Sequence, residues 1–399
     1  MYLCGRKREN MAQECEKITI GLDAKRIVGN GTGLGSYGRT LVNNLAADNR
    51  LQLRLYAPDK GREELRNQIE QRPNVSFCYP TTPRSSFLAP PSSLFKPYWR
   101  SRGIVGDLQR DGVQLYHGLS GELPIGIRKS GIKSVVTIHD LIFLRHPEFY
   151  KAIDTKIYAW KFRKTIGEAD HIIAISACTK RDIIEFGGVD ERKISVIYQS
   201  FSPRFSTNVD LRLQEQVAQR YQLPKRYILH VGSIEERKNI LLAVKALHFL
   251  PEDLSLVIVG RHTKYTDKVL SYAKNHHLSH RVRVFHGISD EELPLFYAQA
   301  EVFVYPSRYE GFGIPIVEAI SCGLPVVACT GSCLEEAGGP DCLYVSPNDE
   351  RAMAEAIQKR LCGTEGREES IRRSQAYIQQ FEGERVTQQM TELYLSLLR

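Results

Sequence analysis

Two carboxylates, Glu310 and Glu318, flank a glycine-bearing turn in the run Ser-Arg-Tyr-Glu-Gly-Phe-Gly-Ile-Pro-Ile-Val-Glu, with seven residues between them. The pattern predicts a strand ending at Ser307, a turn, and a helix opening with Pro315, which suits a first helical turn. Glu310 is then placed at the mouth of a crevice and Glu318 within the first turn of the helix. Glycine on either side of Phe312 frees the backbone to approach a ligand. An acidic side chain in a first turn gains from the helix dipole, so Glu318 reads equally as a cap. Glu310 has no such local use. Together the two could accept hydrogen bonds from polyol hydroxyls, such as those of a sugar and of a ribose.

A basic pair offers the complementary chemistry. Gly232-Ser-Ile-Glu-Glu-Arg237-Lys238-Asn239 ends a strand and opens a helix. Adjacent cations before a helix amino terminus oppose the dipole unless an anion compensates them, and a diphosphate would do so. The alternative is that both side chains point into solvent. Near the amino terminus, Gly33-x-Gly35-x-x-Gly38 formally fits the dinucleotide fingerprint, but Lys25 to Thr32 separate it from the strand ending near Ala24. What survives is more general: glycines at a helix start let backbone N–H groups approach an anion. A plain turn explains them too.

These residues need a scaffold, and the chain supplies an α/β one. Short β-branched runs alternate with amphipathic stretches along almost its whole length, the pattern of parallel sheets crossed by helices. Strands are expected at Lys17–Ala24, Leu51–Ala57, Val75–Tyr79, Gln114–Gly118, Ser134–Asp140, His171–Ser176 and Ile194–Gln199. The composition then turns polar, and the alternation restarts with Arg226–Gly232, Leu254–Gly260, Val282–Gly287, Val302–Ser307 and Leu324–Thr330. At 399 residues two cores are the default. The division expected is a tail over 1–16, a first Rossmann-like domain over 17–205, a second over 206–380, and a last helical segment over 381–399 that crosses back to the first. The cleft between two doubly wound sheets is the expected ligand site.

Composition narrows the classes. No run approaches the ~18 apolar residues of a membrane span, and residues 1–16 lack the apolar core of a secretory signal. A cytoplasmic protein is expected. The nine cysteines show no C-x2-C pair, so Cys322, Cys329, Cys333 and Cys342 read as packing thiols and no metal site is expected. The formal charge of +8 is uneven: residues 1–205 carry 32 Lys and Arg against 21 Asp and Glu. Such an excess suits an anionic membrane surface or a phosphorylated partner, or is a solvated face. Residues 80–103 interleave Arg84, Lys96, Arg100 and Arg102 with Phe87, Phe95, Tyr98 and Trp99. That mixture is expected to dock peripherally at the headgroup boundary, on the inner face of a membrane.

The Glu-x7-Glu element with its Gly-Phe-Gly-Ile-Pro insert, the Cys-Gly-Leu-Pro-Val-Val-Ala strand, the Glu-Glu-Arg-Lys-Asn turn and the segment Ser-Val-Val-Thr-Ile-His-Asp-Leu resemble retaining glycosyltransferases of family four. The likeness is particularly to mannosyltransferase-like members acting in surface-polysaccharide assembly. The resemblance runs from about Lys17 to the carboxyl terminus and implies the GT-B fold, two Rossmann-like doubly wound domains facing a central cleft. It implies that Glu310 contacts the transferred sugar, Glu318 the ribose, and Arg237 with Lys238 the diphosphate. His139 would lie near the sugar, and the loop at Gly33 and Gly35 near the phosphates. Gly232, Ser233, Phe312, Gly313 and Ile314 would complete the donor site. Many relatives carry an arginine where this chain has Ser233, which removes one phosphate contact.

The implied reaction moves a hexose from a nucleotide-sugar, GDP-mannose first and UDP-sugars next, to a saccharide or lipid-linked saccharide, with retention. The nucleotide-sugar is a co-substrate; neither a cofactor, a metal nor nucleic acid is expected. A nicotinamide oxidoreductase would use the glycines but leave both carboxylates and the basic pair without a role. A GT-B epimerase, a phosphorylase and a non-catalytic sugar-binding homologue are the other readings.

Overall fold

The computed structural model describes residues 17–80, 96–205 and 210–399. The expected tail and the loop residues Arg84, Phe87 and Phe95 lie outside them. Seven strands, β1 (Ile18–Asp23), β2 (Leu51–Tyr56), β3 (Val75–Cys78), β4 (Leu115–Gly118), β5 (Lys133–Ile138), β6 (His171–Ala174) and β7 (Ile194–Val196), form one sheet in the order 3-2-1-4-5-6-7. Six more, β8 (Tyr227–Val231), β9 (Ser255–Val259), β10 (Val282–Phe285), β11 (Val302–Tyr305), β12 (Val326–Cys329) and β13 (Leu343–Val345), form a second in the order 10-9-8-11-12-13.

Every strand pair is parallel. Parallel strands are covered on both faces, which is why β8, β9, β11 and β12 are buried throughout and read as continuous apolar runs. The three-residue β13 carries too little pattern to be read from sequence. Each sheet reverses strand order once, between β1 and β4 and between β8 and β11, and the carboxyl ends at such a reversal leave a crevice.

The helices that bear on the site are α1 (Lys25–Gly29), α2 (Gly33–Leu45), α3 (Ala152–Glu168), α4 (Ala177–Gly187), α5 (Ile240–Ala246), α6 (Ile314–Ser321), α7 (Leu334–Gly338) and α8 (Gly383–Leu398). The two units meet at the amino end of α4. Its cap, Ser176, accepts from the Thr179 N–H at 3.0 Å and donates to the Gly311 carbonyl of the second unit at 2.6 Å. Glu336 of α7 accepts from the Ala177 and Cys178 N–H groups at 2.6 and 2.9 Å, setting a carboxylate on the positive end of the helix dipole. At the seam, Phe205 is buried edge-on against Tyr297 of the second unit.

The last helix crosses back. Val386, Met390 and Tyr394 of α8 are buried in the core of the first sheet, and α8 packs on α2. Tyr394 Oη meets His117 Nδ1 at 2.6 Å, His117 Nε2 meets Thr137 Oγ1 at 2.8 Å, and Thr137 meets Tyr37 Oη at 3.1 Å. Burial pulls the His117 pKa down to about 3, so the ring in this chain of bonds is neutral.

Substituting Tyr394→Phe deletes one hydroxyl and leaves a buried imidazole nitrogen without a partner, at a cost on the order of 1–3 kcal/mol. Thermal unfolding followed by circular dichroism should show a lower midpoint for the first unit; an unchanged midpoint would remove the docking role given to this bond.

Candidate active site

The reversal in the second sheet sets the geometry. β8 ends at Val231, and the chain passes through Gly232 and Ser233 into a single 3-10 turn, Glu236–Lys238, before α5. Asn239 closes that turn at φ 53°, a left-handed conformation that asparagine tolerates better than most residues. Its side-chain amide donates to the carbonyls of Pro306 and Pro347 at 3.1 and 2.9 Å. The Arg308 N–H donates to the Arg237 carbonyl at 2.9 Å, so the basic turn and the loop after β11 are tied together.

That tie brings Arg237, Lys238 and Glu310 into one buried cluster. Arg237 Nη1 lies 2.8 Å from Glu310 Oε2, and Lys238 Nζ lies 2.7 Å from Glu310 Oε1. Lys238 also donates to Tyr305 Oη at 2.6 Å, and Arg237 to the Tyr309 carbonyl at 2.8 Å. Burial alone would raise the Glu310 carboxyl, but the charges of Lys238 and Arg237 overcome it and pull it down to about 2. Both cations are held above their ordinary values, Glu310 outweighing burial. The local fault of two cations at a helix start is therefore compensated in this structure by Glu310, across 72 residues of sequence.

The loop carrying Glu310 is pinned to the first unit. A side chain at Gly311 would put its Cβ 2.0 Å from the His139 carbonyl oxygen, so only glycine permits this approach. His139 is engaged at both ring nitrogens: Nε2 pairs with the Leu119 carbonyl at 2.8 Å, and Nδ1 with the Gln199 amide at 2.9 Å. Burial lowers its pKa to about 4, and Tyr37 packs edge-on to the ring at 4.8 Å. A neutral imidazole with both nitrogens occupied positions its neighbours; it is not a free acid or base here.

Sequence reasoning missed three residues here. Asp140, directly after His139, is partly buried; burial raises its carboxyl while Arg237 counters. Cys333 donates its thiol to the Glu310 and Phe312 carbonyls at 3.1 and 2.9 Å, fixing the loop from beneath. Glu336 was assigned no role from the sequence, yet it caps α4. Only Asp140 had a sequence signal, a polar residue closing an apolar strand.

Four expectations need correction. Glu318 is the fifth residue of α6, in its second turn, so the dipole cap does not apply. Phe312 turns its ring away from the cleft into an aromatic cluster with Tyr198 and Phe381, at 5.4 and 5.2 Å, so only its main chain faces the loop. Gly35 is explained by packing, since a Cβ there would sit 1.8 Å from the Asn30 carbonyl, whereas Gly33 is open. Trp99 is buried and donates to Asp107 at 2.6 Å, and Arg100 pairs inward with Asp23 at 2.8 Å, so neither is presented outward.

Glu318 stands apart from the cluster. Its Oε2 accepts from Tyr297 Oη at 3.1 Å, and burial, only partly countered by Arg204, pushes its pKa up to about 7. Gly313 and Ile314 lead into α6, Ile314 as its first residue, and Gly232 sits where a Cβ would come within 3.8 Å of Lys238 Nζ. The Ser233 hydroxyl makes no hydrogen bond to another described residue. Among the described residues no cluster of three or more metal-ligating side chains occurs.

The arrangement is a cationic anchor around Glu310 at the crevice of a doubly wound sheet, with Glu318 apart from it. Residues 214–376 match the family model described as glycosyl transferases group 1, and residues 31–203 that of glycosyltransferase family 4. The chain is 29% identical to O-antigen chain mannosyltransferase B of Escherichia coli over 373 residues, covering 91% of this chain and 96% of that one. Against the serotype-specific mannosyltransferase WbdA of Escherichia coli it is 28% identical over 61% of this chain and 31% of the other. In fold it is similar to a glycosyltransferase from Rickettsia africae, with TM-score 0.74, 19% identity and coverage of 96% and 99%. It is also similar to HepE of Anabaena, solved with UDP and glucose, with TM-score 0.72, 17% identity and coverage of 96% and 100%.

Breaking the cluster from its acidic side should expose two buried cations. Glu310→Gln should cost about 3–5 kcal/mol of stability, and GDP or UDP should raise the melting temperature of that variant more than that of the parent protein. Equal shifts in the two proteins would mean that the nucleotide does not reach Arg237 and Lys238.

Proposed function

From membership of the family-four glycosyltransferases, to which this chain belongs, we propose that it moves a hexose, with mannose favoured and GDP-mannose the preferred donor, onto a saccharide or lipid-linked saccharide during polysaccharide assembly. The single observation that carries this reading is the convergence of Arg237 and Lys238 on one buried carboxylate at the β8–β11 crevice. As the bond between the anomeric carbon and the diphosphate oxygen breaks, charge grows on the departing nucleoside diphosphate. Two preorganised cations in a closed crevice stabilise that charge without reorganising. They supply locally what a metal would supply elsewhere, so the proposed chemistry is metal-independent. Departure and attack on the same face, with retention, is the stereochemical course proposed.

Glu310 then serves the transferred sugar, and Glu318 the ribose. Gly232, Ser233, Gly313, Ile314 and the main chain of Phe312 line the donor side, with the open Gly33 facing it from the first unit. His139 holds the loop geometry next to the sugar. On the acceptor side, the basic first half supports peripheral contact with an anionic membrane at its inner face. No helix among the described residues is long and apolar enough to cross a membrane.

The test is transfer from a panel of nucleotide-sugars, with and without chelator. Arg237→Ala and Lys238→Ala should each lower kcat on the order of 10²-fold, with native circular dichroism; near-normal turnover in both would sink the assignment.

The two glutamates should separate by pH. Glu318 is a carboxylate only above about 7, so donor KM should rise as pH falls through that value. Glu318→Gln should flatten this limb while sparing kcat, whereas Glu310→Gln should lower kcat at every pH. A pH limb that persists in Glu318→Gln would reassign it to another group.

A further inference from the structure

His230 stands in β8, two residues before Gly232, and is fully buried. Its Nδ1 lies 3.1 Å from the Val304 carbonyl of β11. A carbonyl only accepts, so Nδ1 carries the ring proton and Nε2 keeps a bare lone pair. Burial pulls the pKa of the ring down to about 4, which keeps the imidazole neutral. Nε2 makes no hydrogen bond to another described residue. A buried acceptor without a donor is destabilising and calls for a reason. Packing supplies none: the ring lies 5.6 Å from that of Tyr305 at an interplanar angle of 20°, and a phenylalanine would stack there as well.

What borders Nε2 is the cationic anchor. A Cβ at Gly232 would stand 3.6 Å from His230 Nε2 and 3.8 Å from Lys238 Nζ, so the two nitrogens share one space that the bare glycine leaves open. Gly232 is held there at φ 152°. Tyr305 joins the two from the other side, with its ring against His230 and its Oη accepting from Lys238 Nζ at 2.6 Å. An ammonium has three N–H groups. Tyr305 takes one, and Glu310 Oε1, at 2.7 Å, faces Nζ as its counter-charge. A diphosphate that draws Lys238 away from Glu310 leaves the ammonium one acceptor short on the protein side. The flexible lysine stem lets Nζ swing across the Gly232 face toward Nε2.

We propose that His230 is a positioning residue for the donor's diphosphate: once Glu310 is released, the bare Nε2 accepts a hydrogen bond from Lys238 Nζ, so that Tyr305 and His230 hold the ammonium while its remaining N–H meets a phosphate oxygen. The proposal rests on the transferase reading and names the group that replaces Glu310 behind Lys238. A cation held by two neutral groups keeps its full charge for the leaving diphosphate, whereas a carboxylate left beside it would cancel part of that charge.

Two amide substitutions separate this role from a packing role. Asparagine reproduces the Nδ1 donor to Val304 and has nothing at Nε2; glutamine reaches the Nε2 position and gives up the Val304 bond. Dissociation constants for GDP and for UDP are measured calorimetrically on the full-length protein, with circular dichroism confirming the fold of each variant. His230→Gln should bind nucleotide within a few-fold of the parent protein, and His230→Asn roughly tenfold or more weakly. Asparagine binding as well as glutamine or better would overturn the proposal, because only the Val304 bond would then matter. A spectroscopic reading on the parent sequence stands beside it. In protein isotope-labelled at the histidine nitrogens, the unprotonated Nε2 resonance of His230, identified by its absence from either variant, should move upfield as saturating GDP or UDP brings it a donor. A resonance that stays in place under a nucleotide that binds would overturn the proposal as well. Both of those failures leave the transferase reading standing. Binding of neither nucleotide to the parent protein would instead bring down that reading, and the proposal with it.

Discussion

The attraction between one buried carboxylate and two adjacent cations is the constraint on which the rest of the cleft depends. Removing three charges from water is expensive, and the attraction offsets that cost only when the geometry is held closely. Here Asn239 holds the basic turn in a left-handed kink, while Cys333 and Arg237 fix the carbonyls of the loop that carries Glu310. The same loop makes the interdomain contact, because Gly311 is bare enough to reach both the His139 carbonyl and the Ser176 hydroxyl. One short stretch, 305–313, thus takes part both in the charge balance of the second unit and in its seating on the first.

Two glutamates separated by seven residues end in opposite electrostatic states, and packing is the reason. Glu310 leaves a turn and meets two cations; Glu318, on a helix, faces a phenol and the more distant Arg204. One remains ionised throughout the biological range, and the other changes charge near neutrality. A sequence motif names the pair but cannot distinguish its members, since the difference is made by the burial of Glu318 and by the charges of Lys238 and Arg237 beside Glu310, none of which is written in the motif.

That limit describes what could be read in advance. Both sheets were legible because buried parallel strands leave continuous β-branched runs, and their strands were found within one or two residues of their ends except for the three-residue β7, which stops three residues short of the expected Gln199, and the three-residue β13, which was missed. The members of the ion cluster were legible where their type was locally costly: Arg237 and Lys238 at a helix start, Glu310 between strand and glycine. Long-range partners were not. Nothing near residue 237 announces that its counter-ion is residue 310, and nothing near Gly35 announces the Asn30 carbonyl that excludes a side chain there. Trp99 and Arg100 were assigned to a membrane-facing loop from type, and Phe312 to the donor site by resemblance, yet a ring or guanidinium packs inward when acidic or aromatic partners wait there, as Asp107, Asp23 and Phe381 do. The bond from Tyr394 to His117 spans 277 residues and leaves no local trace.

The paired state of Glu310 also bears on how the cleft would accept its donor. A diphosphate entering beside Arg237 and Lys238 brings negative charge next to an ionised carboxylate, and at close range in a poorly solvated crevice such repulsion is large. Glu310 stays ionised because its pKa lies far below neutrality, so protonation does not relieve the conflict. The relief available is an exchange of partners: the cations turn toward the phosphates, and the carboxylate turns to neutral donors. The hydroxyls of a hexose attached to that diphosphate are such donors, and they arrive with it. On this argument the ion cluster and the sugar-binding role proposed for Glu310 are two states of one device, in which the carboxylate would keep the cations ordered until a donor supplied both their new counter-charge and its own new partner.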